Sequence, residues 1–260
     1  WRDDLEKNPI GGYQFTRQTP PLRDMDISAL TPANSKRQEM ISLYADIDGF
    51  TAYVAEHIDD NAEDVVRTLH VLRAEMERVV TSDFQGRRVR FIGDCVHALY
   101  CDGTAQTTDE EKSVSESTRL AGALRSSFNL GMERLRAKGY KTGDLGLAIG
   151  FDLGTIAVTR LGKKGDRIRC AIGRKVLESE NRQCACSGTE TAIGQDAYDA
   201  GSDAVKELFG KNRRVANMDY VEATEALADK GDESAKQARA EAYAGAPAII
   251  RADIRDVRPG

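Results

Sequence analysis

The chain has 260 residues, 40% apolar and 30% charged, which suits one large folded domain with appendages and excludes a wholly disordered protein. A formal net charge of -5 supplies no basic field for nucleic acid, and no apolar run approaches the roughly 20 residues of a membrane span. The five cysteines (Cys95, Cys101, Cys170, Cys184, Cys186) follow neither a zinc spacing nor a secreted disulfide framework, and no signal peptide opens the chain, so the expected setting is a reducing cytoplasm.

Residues 1–39 hold Pro9, Pro20, Pro21 and Pro32 with little periodicity, and read as an arm that wraps a body. "MISLYADIDGF" is a strand ended by Gly49. Asn61 to Val80 is an amphipathic helix, with Val65, Leu69, Leu72, Met76 and Val79 on one face. "RRVRFIGDCVHALY" is a hairpin turning at Gly93 and Asp94. Residues 103–117 are polar and loop-like; Ser117 to Ala137 is a second amphipathic helix. "LGLAIGFDLGTIAVTRLG" is a long strand pattern broken by Gly150 and Gly154, followed by "RIRCAIG" and a helix-like "RKVLESENRQCACS". The tail from Val205 to Ala244 is acidic, alanine-rich and helical in pattern, with "AIIRADIRDV" as a closing strand. Strands and helices alternate around one main sheet, so the class is α/β or α+β.

Asp46 and Asp94 each stand where a strand meets a turn, separated by one helix. Adjacent strands would bring their carboxylates together, and hard oxygen ligands facing water and phosphate suit Mg²⁺ or Mn²⁺. Backbone N–H groups around Ile47 to Thr51, at a helix start, could hold a phosphate tail. The plainer alternative, two turn aspartates capping helices, stays open on spacing alone.

"DIDGFT", "RFIGD", "IGFDLGTIAVTRLG" and "RCAIGRKV" occur in the order and rough spacing of the class III nucleotidyl cyclase catalytic domain, and residues 40 to 195 resemble it. The resemblance implies an α+β fold with a ferredoxin-like βαββαβ core, a mainly antiparallel sheet and helices on one face. It implies a head-to-tail homodimer with two shared sites. Residues 1–39 would be an N-terminal arm, 40–195 the catalytic core, and 196–260 a C-terminal helical segment and closing strand of the same domain. Asp46 and Asp94 resemble the two metal aspartates, with the Ile47 carbonyl as a further ligand of two Mg²⁺ or Mn²⁺ ions. Gly49, Phe50 and Thr51 would lie against substrate. Asp48 is expected to be solvated or capping.

The family reads the base three residues before its Gly-Asp turn, with lysine for adenine and glutamate for guanine; here that position is Arg90. Its second base position is Cys170, where adenylate cyclases carry aspartate. Arginine offers only donors, in a planar fork, while uracil offers carbonyl oxygens as acceptors and is small enough to leave room for a long guanidinium. Guanine also has an acceptor edge. The pattern resembles the bacterial pyrimidine cyclases of Pycsar anti-phage signalling and implies conversion of UTP to 3′,5′-cyclic UMP and pyrophosphate, with a separate cyclic-nucleotide effector. A guanylate or adenylate cyclase with a diverged pocket, or a degenerate nucleotide-binding regulatory domain, are the alternatives. One departure stands out. The family's asparagine and arginine, four apart, fall on Leu177 and Asn181 without a gap, or on Glu178 and Arg182 with a one-residue slip. Arg182 is the expected phosphate contact, with Asn181 beside it. Lys206, Lys211 and Arg251 are open candidates for the family's C-terminal phosphate lysine.

Overall fold

The computed structural model describes residues 12, 14–17, 22–104, 106–162 and 165–243. The anticipated closing strand and Arg251 lie outside them. In chain order the strands are β1 (Phe15–Arg17), β2 (Ser35–Asp48), β3 (Arg87–Ile92), β4 (Cys95–Tyr100), β5 (Asp102–Gly103), β6 (Thr108–Asp109), β7 (Gly146–Leu161), β8 (Ile168–Ile172), β9 (Glu190–Ile193) and β10 (Arg214–Ala216). The α-helices are α1 (Phe50–Arg78), α2 (Glu110–Ala137), α3 (Arg174–Cys184), α4 (Gln195–Ala200), α5 (Asp203–Phe209), α6 (Tyr220–Asp229) and α7 (Glu233–Tyr243).

The main sheet runs β10-β9-β7-β2-β4-β3, with β8 added to β7 and β1 to β2. Along the chain β2-α1-β3-β4-α2-β7 is a βαββαβ unit, and its four strands lie in the order fourth, first, third, second. The long ladders of β2 with β4 and β7 are antiparallel, while β1–β2 and β7–β9 are parallel.

β2 alternates as a strand buried on both faces must. Ile41, Leu43, Ala45 and Ile47 face the larger core, with Val65, Leu72 and Met76 of α1 and Leu120, Leu124 and Phe128 of α2. Met40 and Tyr44 face a second core. There Leu22, Met25, Ile27 and Leu30 of the arm, together with Val176 of α3, cover the other side of the sheet. The helices of the βαββαβ unit thus share one face, and α3 with the arm forms a further layer on the opposite one.

Four boundaries differ from the sequence pattern, and the strand β10 interrupts the tail expected to be helical from Val205 to Ala244. β2 starts at Ser35 because Lys36 to Asp48 pair continuously with β7. α1 starts at Phe50; Asn61, with φ -140° and ψ 45°, is a kink inside a longer helix. α2 starts at Glu110, where the Asp109 carboxylate accepts the Lys112 N–H at 2.9 Å; its buried Ser113, Ser115 and Ser117 conceal the apolar period. β7 runs unbroken through Gly150 and Gly154, which are not breaks but close-approach points for α3.

Candidate active site

Asp46 follows Met40 and Tyr44 onto the second face of β2, beneath α3. Ala45 pairs with Val96, so the end of β2 runs beside the β3–β4 turn that carries Asp94. Gly93 makes that turn with φ +62°, a conformation that costs glycine little. The Asp94 carboxylate accepts hydrogen bonds from its own amide and from the Ile47 N–H. Within an antiparallel ladder the N–H and C=O of one residue face the same neighbour. The Ile47 carbonyl therefore points toward the Asp94 side as well.

Both carboxylates are partly buried, which disfavours their charged forms. Burial, then the neighbouring Asp94 charge, pushes the Asp46 pKa up to about 6, against donation from the Cys95 thiol and the Gln183 amide. Burial also raises Asp94, opposed by its two backbone donors and by the Arg73 charge. Asp48 plays a different part: its exposed carboxylate accepts the Gly188 N–H at 2.8 Å and braces the end of the sheet. Gly49, with φ +82°, turns the chain into α1, and the Tyr53 N–H closes the first turn on its carbonyl at 3.0 Å. Phe50 packs against the core and Thr51 is exposed, so the amide end of α1 sits directly after the Asp46–Asp48 segment.

The donor set favours a hard cation that retains water and phosphate ligands. Among the described residues no group of three or more His, Cys, Asp or Glu side chains is arranged to hold a metal. One or two carboxylates completed by substrate phosphates and water is the coordination Mg²⁺ prefers, so the residues present fit it.

Arg90 pairs with His97 beyond a bulge between Arg88 and Arg90. Tyr44 and His97 stack with ring centroids 4.2 Å apart and planes 6° from parallel. Burial, and then the Arg90 charge, lowers the His97 pKa to about 3, so the ring is neutral, with Nε2 3.1 Å from Ser42 Oγ. Arg90 therefore extends beside a rigid aromatic pair on the same face as Asp46. Cys170 lies on β8 opposite Thr159, its thiol 3.8 Å from the Ile168 carbonyl.

On α3, Val176, Ser179 and Gln183 face the sheet, while Leu177, Asn181 and Cys184 face outward. Asn181 therefore points away from its own Asp46. The half-buried Arg182 lies near Cys186, whose thiol donates to the Arg182 carbonyl at 3.2 Å. The side chain of α3 that reaches Asp46 is Gln183, with Nε2 3.5 Å from Oδ2. The motif reading passed over Gln183 and Cys95. A polar residue in the buried period of Val176 and Ser179 was the available signal for Gln183. Cys184 is exposed and Cys186 half-buried.

Comparison with known proteins places residues 33–218 under the family described as the adenylate and guanylate cyclase catalytic domain. A protein of Pseudomonas aeruginosa named uridylate cyclase is 79% identical over 259 residues, covering 100% of this chain and 50% of its own length. A second protein named uridylate cyclase, from a Rhizobium species, is 43% identical over 199 residues, covering 76% of this chain and 37% of its own. A crystal structure described as a class III adenylyl cyclase-like ATP-binding protein from Pseudomonas aeruginosa is 80% identical with a TM-score of 0.83, over 87% of this chain and 48% of that one. The chain thus spans half or less of the length of these relatives. No described helix is long and apolar enough to cross a membrane.

Proposed function

Because the chain belongs to the adenylate and guanylate cyclase catalytic domain family, we propose that it carries the catalytic domain of a uridylate cyclase, converting UTP to 3′,5′-cyclic UMP and pyrophosphate. The observation that carries this reading is the pairing of Asp46 and Asp94 at neighbouring strand ends, with the Asp46 pKa raised to about 6. The whole-chain likeness to a protein named uridylate cyclase supports the choice of base.

Asp46, Asp94 and the Ile47 carbonyl would hold two Mg²⁺ or Mn²⁺ ions. Such ions lower the pKa of a bound hydroxyl and neutralise charge on a departing pyrophosphate. In the reaction, the 3′-oxygen of UTP bonds to the α-phosphorus, the bond from that phosphorus to the β-bridging oxygen breaks, and the 3′ proton passes to solvent. The amide end of α1 after Gly49, at Phe50 and Thr51, lies where it can bind phosphate oxygens. Arg90, steadied by the Tyr44–His97 stack, donates to the uracil carbonyls, and Cys170 leaves the second base position without a carboxylate. Asn181 and Arg182 serve the site of a second subunit. Outward Leu177 is 61% exposed, and Ile168, Ile172 and Ile92 are 55%, 53% and 42% exposed, which supports a homodimer that covers them. The setting is the cytoplasm, and the product acts on a separate effector in defence against phage, as the Pycsar resemblance implies.

Incubation of the purified chain with UTP, CTP, GTP and ATP and Mn²⁺, followed by product analysis, tests the reading. Cyclic UMP as the main product is expected, lost in Asp94→Asn. Arg90→Ala should lower kcat/KM for UTP by about tenfold to a hundredfold, the worth of a charged hydrogen bond. The similar structure described as ATP-binding favours a second reading, an adenylate cyclase, and cyclic AMP as the main product would establish that instead.

A further inference from the structure

We propose that Gln183 is a positioning residue for Asp46, holding one oxygen of that carboxylate so that the other is presented to the divalent cation. The inference rests on the metal role given to Asp46 above and adds the group that orients it.

Gln183 is 6% exposed on the sheet-facing stripe of α3, where a side chain of that size is ordinarily apolar. Its Nε2 lies 3.5 Å from Asp46 Oδ2, and its Oε1 accepts the Cys184 thiol at 3.5 Å. Both contacts suit this orientation of the amide. Turned over, Oε1 would oppose a carboxylate oxygen, and the NH₂ group would meet a thiol already able to donate.

The reach depends on Gly150. This glycine pairs with Tyr44, one step along the face from Asp46 and its partner Ala148. A Cβ there would lie 2.2 Å from the Gln183 backbone nitrogen and 2.6 Å from the Ser179 carbonyl oxygen. The backbone of α3 therefore rests directly on β7, which brings a side chain of only glutamine length to the carboxylate. Asp94 takes backbone donors from its own amide and from Ile47, whereas Asp46 takes the Gln183 amide of α3 beside the Cys95 thiol of the hairpin. Carboxylates that bind metal are characteristically held in this way by a second hydrogen-bonding partner.

The test is Mn²⁺ titration of the metal-free full chain, with free Mn²⁺ followed by electron paramagnetic resonance. Wild type would be compared with Gln183→Leu, Gln183→Met and Asp46→Asn, and folding checked by circular dichroism and thermal melting. The methionine variant keeps the length of the side chain and removes the donor, so it guards against a packing failure in the leucine variant. Both are expected to bind Mn²⁺ about tenfold or more weakly than wild type. The Mn²⁺ activation constant should rise by the same factor while KM for the nucleotide holds. Wild-type Mn²⁺ affinity in either folded variant overturns the inference, as does a lowered melting temperature with unchanged affinity, the mark of a purely structural glutamine. If Asp46→Asn also binds normally, or wild type binds no Mn²⁺, the metal reading itself has failed, and this inference with it.

Discussion

At the residue scale the site is defined by a conflict of charge. Asp46 is pushed up to about 6 by burial and by Asp94, so its folded-state value lies above its unfolded one near 3.8. Below about pH 4 both states hold the proton and nothing is lost. As pH rises toward 6 the unfolded chain releases it first, so stability falls across that window and the penalty is complete above it. His97 runs the other way: lowered to about 3, it costs stability as pH falls below its unfolded value near 6.5. The difference between wild type and Asp46→Asn, measured without divalent cations, cancels the histidine and isolates the aspartate. Asp46→Asn should therefore melt higher than wild type at pH 7 to 8, with the gap closing toward pH 4 and on addition of Mg²⁺ to wild type. A lower melting temperature for the variant at pH 7.5 would show that the carboxylate is already relieved by protein groups alone.

At the element scale the decisive piece is α3. Its inner face meets β7 with no side chain between them at Gly150, and Lys175 ties its first turn to Asp152 at 3.2 Å, Asp196 at 2.9 Å and Glu178 at 2.6 Å. Asp152 is buried and also accepts the Leu153 and Ala197 amides, so the clamp joins α3, β7 and the start of α4. Gly150→Ala has no flexible side chain to displace, only helix backbone. We expect it to cost about 1–3 kcal/mol in urea unfolding, as overpacking of a filled core does. It should also lower cyclase turnover beyond what the lost stability explains, because α3 must lift away from Asp46. Full turnover in a folded Gly150→Ala protein would show that the position of α3 over the strand does not matter to the chemistry.

At the scale of the whole molecule, the protomer holds its paired aspartates on one side of α3 and turns Leu177 and Asn181 to the other. In the proposed homodimer the aspartates and base-reading groups of a single site come from different subunits, a division that mixing can test. Asp46→Asn and Arg90→Ala proteins, each impaired alone, should recover about a quarter of wild-type activity when mixed at equal amounts. Half of the dimers would be mixed, and each of those would carry one intact site. No recovery from well-exchanged subunits would place all the groups of a site in one protomer.

The strand patterns, the hairpin at Gly93 and Asp94, and the two aspartates were legible in the chain because each is local: alternation, a turn glycine and a motif lie within a few residues. So was the arginine in place of the family's lysine or glutamate. The start of α2 was hidden, since buried serines carry no apolar period, and so was the run of α1 through Asn61. The sequence by itself determined which residues carry charge at the strand ends and that an arginine, with donors only, stands at position 90. Only the tertiary structure decided that Gln183 reaches Asp46, that Asn181 turns outward, and that Tyr44 and His97 stack beside Arg90. The reason is distance along the chain: Gln183 lies 137 residues from Asp46, and no local pattern records a contact that exists only because α3 rests on a glycine of a strand beside it.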